Sequence, residues 1–230
     1  MNSSTVGLII LAAGASTRMG TPKQLLAYRG CTLIRHMAEV AICASSCRAL
    51  PARFANRAAL LTQPRNALAS VCQPIIVVLG ANAERIKPEI SQLPVQIVEN
   101  QQWVEGMSSS IRVGLEALLA VNQNLEAVAI ALCDQPFVSP QTLNQLVEAY
   151  HLTGKPIIAS QYAGTLGVPA LFSRCLFSEL VALKSNEGAK QLIKRHINEV
   201  FSVPFPDGAI DIDTPNDYKQ LQTLIESSEL

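Results

Sequence analysis

The residues best suited to chemistry begin with Ala13-Gly14-Ala15-Ser16-Thr17-Arg18-Met19-Gly20-Thr21-Pro22-Lys23, directly after the apolar run Val6–Ala12. Gly14 and Gly20 allow a tight turn and a close backbone approach to a ligand. Amide N–H groups in such a loop can cradle phosphate oxygens. Arg18 adds a planar guanidinium fork and Lys23 a point charge. The spacing Gly14-x5-Gly20 followed by Thr-Pro-Lys fits neither the Walker A pattern nor G-x-G-x-x-G. Read physically, the loop either binds an anion, a nucleotide or a phosphate, or is a glycine-rich turn with surface cations.

Two acidic stretches could complement it. Asp134 follows the apolar run Ala127–Leu132 in Leu132-Cys133-Asp134-Gln135-Pro136. A carboxylate at the end of a strand could hold Mg²⁺, which favours one or two carboxylates completed by phosphate oxygens and water. The alternative is a turn aspartate ahead of Pro136. The second stretch is Asp211-Ile212-Asp213-Thr214-Pro215-Asn216-Asp217. In extended backbone Asp211 and Asp213 face the same side, so either could be the second ligand. Thr214, Pro215 and Asp217 suit the N-cap, N1 and N3 positions of a helix. A further polar run, Gly106-Met107-Ser108-Ser109-Ser110, leads into a helical pattern. Its serines are either caps or, through the helix N-terminus, donors to a ligand.

Other chemistries find little support. His36, His151 and His196 are scattered, with no H-E-x-x-H and no paired C-x-x-C. The six cysteines have no framework spacing, which reads as reduced thiols in a cytoplasmic protein. Lys+Arg and Asp+Glu both total 18, so no basic excess drives nucleic-acid binding. Mean hydropathy is +0.24, yet no stretch of 18 apolar residues suggests a membrane span. The N-terminal segment lacks the basic start of a signal peptide.

These residues need a scaffold, and the apolar patterning supplies one. Strands are expected at Val6–Ala12, Ile75–Leu79, Val95–Val98, Ala127–Leu132, Ile157–Ser160 and Val200–Val203. Several are apolar at consecutive positions, as strands covered on both faces are. Helical stripes lie between them: Ile111, Leu115, Leu118 and Leu119; Leu143, Leu146, Val147 and Tyr150; Tyr218, Leu221, Leu224 and Ile225. The alternation implies an α/β fold of three layers, Rossmann-like, with a mostly parallel sheet and helices on both faces. Ligands of such sheets sit beyond the carboxyl ends of strands, here after Ala12 and after Leu132. One domain spanning 1–230 is expected, with an insertion at about 43–73 whose length exceeds a simple connection.

The loop Leu11-Ala12-Ala13-Gly14-x-Ser16-x-Arg18-Met19-Gly20-x-x-Lys23-x-Leu25-Leu26 resembles the signature of MobA-like nucleotidyltransferases, and within them the molybdenum cofactor cytidylyltransferase (MocA-like) branch. Asp134-Gln135-Pro136, the Asp211–Asp217 run, Asn100-x-x-Trp103-x-x-Gly106-Met107-Ser108-x-Ser110 and the Gly167–Lys190 region match in the same order. The family more often has an Asp and an Arg where Ser185-Asn186-Glu187-Gly188-Ala189-Lys190 stands. The resemblance implies transfer of CMP from CTP to the terminal phosphate of molybdopterin, with release of pyrophosphate. It implies Arg18, Lys23 and Asp134 as catalytic residues. It implies nucleotide binding by Leu11, Ala12, Ala13, Gly14, Arg18, Lys23, Gly106, Ser108 and Ser110. Mg²⁺ is expected on Asp134 with Asp211, slightly favoured, or Asp213. Alternatives are a transferase of the same fold using GTP or loading a sugar or alcohol phosphate, and a non-catalytic chaperone holding the cofactor for a molybdenum hydroxylase client.

Overall fold

Seven consecutive apolar positions make Val6–Ala12 a strand that must be covered on both faces, and all seven are buried. The computed structural model describes residues 5–45, 72–185 and 187–228. Strand β1 (Val6–Ala12) is followed by a small ribbon, β2 (Ala27–Tyr28) and β3 (Cys31–Thr32), and by α1 (Leu33–Ser45). Then come β4 (Cys72–Leu79), the short α2 (Ala83–Ile86), β5 (Gln96–Glu99), α3 (Met107–Val121), β6 (Ala127–Leu132) and α4 (Pro140–Thr153). The chain continues through β7 (Ile157–Tyr162), β8 (Thr165–Ser173), α5 (Phe177–Val181), α6 (Ala189–Arg195), β9 (Val200–Pro204) and α7 (Pro215–Ser228).

The main sheet has the order β5-β4-β1-β6-β8-β7-β9. β4–β5, β1–β4, β1–β6 and β7–β9 are parallel, and β8 runs against both β6 and β7. Every strand of this sheet except β8 therefore ends at the same edge. The pleat divides the core in two. Leu8 and Ile10 of β1 join Val77, Ala129, α1 and α4 on one face. Ile9 and Leu11 join Val78, Ile130, α3, α5 and α6 on the other. The expected three layers follow from that alternation.

All six expected strands are present, with ends moved by up to three residues. In the main sheet, β8 is the strand the apolar pattern did not announce. It carries Gly167 and Pro169, which weaken a strand reading. Its pairing with β7 slips between Ala159 and Ser160, and the Ser160 hydroxyl donates to the Pro169 carbonyl at 2.6 Å. The irregular register accommodates a residue that has no amide proton. In α7 the buried stripe is Tyr218, Leu221 and Ile225, whereas Leu224, expected with them, is 48% exposed. Of the expected insertion, residues 46–71 lie outside the described residues. Among the described residues, no helix is long and apolar enough to cross a membrane.

Candidate active site

The loop after β1 is held from within by Gln24. This side chain is 1% exposed, and its amide donates to the carbonyls of Ala12 (2.8 Å) and Gly14 (2.9 Å). Its Oε1 accepts from the Ser16 hydroxyl at 3.3 Å, and the same Ser16 oxygen accepts the Lys23 backbone N–H at 3.0 Å. Ser16 has φ of 56°, a left-handed conformation that a serine adopts at some cost. The Met19 and Gly20 amides close a turn onto its carbonyl. Gln24 and Ser16 thus fold the loop back so that Lys23 returns to the strand end. Leu11, Ala12 and Ala13 are buried there, and Gly14 is exposed. Nothing in the sequence pattern marked Gln24, since a neutral amide next to a lysine carries no motif.

Lys23 then meets both acidic stretches. Its Nζ lies 2.5 Å from Asp134 Oδ2 and 3.0 Å from Asp213 Oδ1, although 111 and 190 residues separate it from them in the chain. Arg18 donates to Asp213 Oδ2 at 2.7 Å. The Lys23 and Asp134 side chains are only 16% and 17% exposed, whereas Arg18 is 70% exposed. Surface ion pairs of the Arg18 kind contribute about 0.2–1 kcal/mol, so this solvent-exposed guanidinium exchanges Asp213 for an anionic ligand at little cost.

The position of the second acidic stretch follows from its anchor. Ile212 is fully buried and its amide donates to the Asp134 carbonyl at 3.1 Å. Asp211 and Asp213 flank it and share the other side, as extended backbone requires. Asp217 does not join the cluster. Its Oδ2 accepts from the amides of Asp213 (3.1 Å) and Thr214 (2.7 Å), while its own amide donates to Thr214 Oγ1. This reciprocal cap, anticipated from Thr214-Pro215-x-Asp217, fixes where Asp213 leaves the helix start.

The charges of the cluster are strongly coupled. Burial pulls the Lys23 ammonium down, but Asp134 and Asp213 outweigh it, and Lys23 is held above its ordinary value. Burial pushes Asp213 up, but hydrogen bonds and charge from Lys23 and then Arg18 hold it below the usual carboxylate range. Asp211 is raised, by burial first and then by the charges of Asp134 and Asp213. Three carboxylates against two cations leave an excess of one negative charge. Asp134 Oδ1 is buried and without a hydrogen-bond partner. A hard divalent cation fits this set of oxygens, with Asp134 and one of Asp211 or Asp213 as ligands. Among the described residues, no three His, Cys, Asp or Glu side chains converge on a metal by themselves. That composition suits an ion whose shell is completed by phosphate and water. Cys133, beside Asp134, is buried and its thiol is pushed up by burial and by Asp134, so it is inert.

Where β4 and β5 end, the strand ends border a cleft of about 400 Å³, whose walls include Gly80, Asn82, Arg85, Asn100 and Trp103. The Ala81 amide donates to the Ala13 carbonyl at 3.1 Å, which joins the cleft to the loop. A Cβ on Gly80 would lie 2.6 Å from that carbonyl and 2.8 Å from Trp103 Cβ, so only glycine permits this contact. Trp103 serves as packing here. The serines that follow do not cap α3. The N-cap is Gly106, at φ of 98°, with no side-chain cap bond. Instead Ser109 and Ser110 accept from the buried Asn100 amide at 2.8 and 3.0 Å, and Ser109 donates to the Gln102 and Gly106 carbonyls. Ser108 is 3% exposed. Asn100, quoted above only within a run, is the residue that ties this corner to β5. The Glu187–Gly188 turn packs on Met107, beside the start of α3, with Glu187 paired to Arg195.

The site residues foreseen therefore lie along one edge of the sheet, with Lys23, Asp134, Asp211 and Asp213 in one cluster. Comparison with known proteins agrees with the scaffold. The chain is 32% identical over 167 residues to nicotine blue oxidoreductase of Paenarthrobacter nicotinovorans, a match spanning 72% of this chain and 66% of that protein. Among solved structures, Rv0371c of Mycobacterium tuberculosis H37Rv superposes with a TM-score of 0.69 at 26% identity, covering 96% of this chain and 99% of that one. A further structure of that protein is a complex with manganese, at 25% identity and a TM-score of 0.67 over 95% of this chain and 98% of that one. A nucleotidyl transferase from Methanothermobacter thermautotroptrophicus shares the fold, with a TM-score of 0.74 at 20% identity over 98% of this chain and all of that one. Residues 8–200 match the model described as the MobA-like NTP transferase domain, and the chain belongs to that family of nucleotidyltransferases.

Proposed function

We propose that this single domain of 1–230, with its insertion at about 43–73, transfers CMP from CTP to the terminal phosphate of molybdopterin. Pyrophosphate leaves. The observation that carries the reading is the Lys23 ammonium held between Asp134 and Asp213 beside a loop folded by Gln24. An ionised acceptor phosphate is already a nucleophile, so its oxygen attacks the α-phosphorus and no general base is required. Catalysis then rests on alignment and on charge neutralisation. Lys23 and Arg18 turn from their carboxylates towards the triphosphate and meet the charge that develops on the leaving pyrophosphate. Backbone from Leu11 to Gly14, with Gly106 and Ser108 at the start of α3, holds the nucleoside. The Ser110 hydroxyl supports this corner through Asn100.

Asp134 with Asp211 or Asp213 would hold Mg²⁺, which supplies Lewis-acid polarisation of phosphate oxygens when bound. The manganese complex of Rv0371c supports a divalent ion in this fold. The name of the curated relative raises a redox reading, but the cation-and-carboxylate cluster suits phosphoryl chemistry, and Gly14-x5-Gly20 is not a dinucleotide fingerprint. A cytoplasmic setting is in keeping with the substrates proposed. Delivery of the product to a molybdenum hydroxylase client would follow.

The test is a nucleotide panel in which pyrophosphate release is followed with purified molybdopterin and Mg²⁺. CTP turning over fastest is the expected result. Preference for GTP, or turnover only with a sugar or alcohol phosphate, would replace the substrate while keeping the site. Tight binding of the finished cofactor without turnover of any triphosphate would replace the enzyme with a holder protein.

A further inference from the structure

Lys23 and Asp134 meet although they belong to different elements, and one buried histidine links the two. Three consecutive carbonyls of the turn after β6 each accept a donor. The Asp134 carbonyl takes the Ile212 amide at 3.1 Å, and the Gln135 carbonyl takes the Val138 amide at 3.2 Å. The third, on buried Pro136, accepts from Nε2 of His36 in α1 at 3.2 Å. A carbonyl only accepts, so Nε2 carries the proton. His36 is 2% exposed. Its ring meets the buried Tyr28 of β2 edge-on, with centroids 4.6 Å apart.

The same stretch of chain reaches Lys23 through its backbone. The Leu26 amide donates to the Lys23 carbonyl at 3.1 Å, and the amide of Leu33, the first residue of α1, donates to the Leu26 carbonyl at 3.0 Å. His36 lies one turn further into that helix. The ribbon is also pinned by Tyr218 of α7, whose hydroxyl donates to the Ala27 carbonyl at 2.9 Å. The imidazole is thus wedged between the ribbon that follows Lys23 and the turn that carries Asp134. We propose that His36 is a positioning residue for the transfer reaction, its bond to the Pro136 carbonyl setting the distance at which Asp134 faces Lys23. The inference rests on the nucleotidyl-transfer reading above and adds to it a residue that acts only through the turn. Without the donor a buried carbonyl is left unsatisfied, and the turn relieves it by shifting. A displacement of about 1 Å at a reacting group lowers a rate by as much as about 10²-fold.

His36→Gln keeps a donor at the reach of Nε2, His36→Asn carries the same amide too short to reach, and His36→Leu fills the space without a donor. Each is compared with wild type in CTP-dependent pyrophosphate release with molybdopterin and Mg²⁺. Each is also treated, without substrate, with trace acetic anhydride, and acetylation of Lys23 is read by mass spectrometry against the exposed Lys155. An ammonium held by Asp134 reacts slowly. The Asn and Leu variants should lose at least tenfold in kcat with a KM for CTP within twofold of wild type, and their Lys23 should acetylate at least threefold faster. His36→Gln should stay within threefold of wild type in kcat and match it in acetylation. Should His36→Leu not fold, the Asn and Gln pair gives the same comparison. Wild-type kcat and acetylation in His36→Asn overturn the inference, and so does an equal loss of kcat in the Asn and Gln variants. A wild type that turns over no triphosphate but shows the acetylation difference removes the transfer reading and leaves His36 in its place. Turnover in the wild type with unchanged acetylation in every variant does the reverse.

Discussion

Removing the Lys23 ammonium would leave Asp134 and Asp213 facing one another with no cation between them. Lys23→Ala is therefore expected to lower pyrophosphate release by about 10²–10³-fold, the scale of losing one preorganised charge donor. Lys23→Arg should not restore it, because the side chain is only 16% exposed and a broad planar guanidinium does not take the place of a compact ammonium there. A rate within threefold of wild type in Lys23→Ala would remove this residue from the chemistry. Gln24 makes a different prediction. Gln24→Ala leaves the Ala12 and Gly14 carbonyls without their donor, at a cost of about 1–3 kcal/mol in denaturant unfolding. The KM for the nucleotide should rise with it, since the loop loses its internal brace. These residues differ in legibility for a physical reason. Lys23 and Asp134 carry charge beside strand ends, and charge in such a place is conspicuous. Gln24 acts through hydrogen bonds to carbonyls on its own loop, and only folded coordinates reveal those. Asp211 and Asp213 were indistinguishable by spacing, since alternation sends both to one side, and their different partners come from the approach of Lys23 and Arg18.

Helix α7 presents the second acidic stretch through its cap, so the cap is an element with a functional reach. Thr214→Ala removes the acceptor for the Asp217 amide and should cost about 1 kcal/mol. Because Asp217 still holds the Asp213 amide, activity should fall less than in Asp213→Ala, which a turnover assay on both variants checks. A second element-level device joins α5 to the end of α6. His196 Nε2 lies 3.0 Å from Glu179 and Nδ1 lies 3.3 Å from Glu199. The Glu179 hydrogen bond, opposed by burial and aided by Glu199, raises His196 above its ordinary 6.5. A raised folded value means the contribution is complete below 6.5 and is lost as pH climbs through the folded value. The Tm difference between wild type and His196→Gln should accordingly be largest near pH 6 and shrink towards pH 8.5. A difference growing with pH would contradict the pairing. Cap and βαβ signals made α7, β1 and β6 readable in advance, because each is set by local pattern. β8 was not, because its glycine and proline look like a turn until Ser160 and the slipped register absorb them. The serines in the first turn of α3 misled for the opposite reason. They are good caps in isolation, but Asn100 claims Ser109 and Ser110 once β5 lies beside them.

On the scale of the molecule, the sheet makes one edge from strands far apart in sequence, and the acidic cluster sits near its middle, between the cleft at the ends of β4 and β5 and the β7–β8 hairpin. A triphosphate bound there would touch the loop after β1, the turn after β6 and the segment before α7 together, and so would tie distant parts of the chain into one cooperative unit. A ligand that binds only the folded state at 100 times its Kd adds about 2.7 kcal/mol. For a chain of this length that corresponds to a rise in Tm of about 5–10 °C. The excess negative charge of the cluster decides the conditions. A nucleotide alone brings further negative charge to Asp134, Asp211 and Asp213, whereas a nucleotide carrying a divalent ion balances it. The rise should appear with CTP and Mg²⁺ together, fall to about a third or less with CTP in EDTA, and be absent with Mg²⁺ alone at micromolar concentration. Asp134→Asn should lose most of the dependence on metal while keeping the fold, because the buried Oδ1 position remains polar and the Lys23 contact survives as a hydrogen bond. An equal rise in EDTA and in Mg²⁺ would mean that Lys23 and Arg18 hold the triphosphate unaided, and the carboxylates would then serve only to store and orient those two cations.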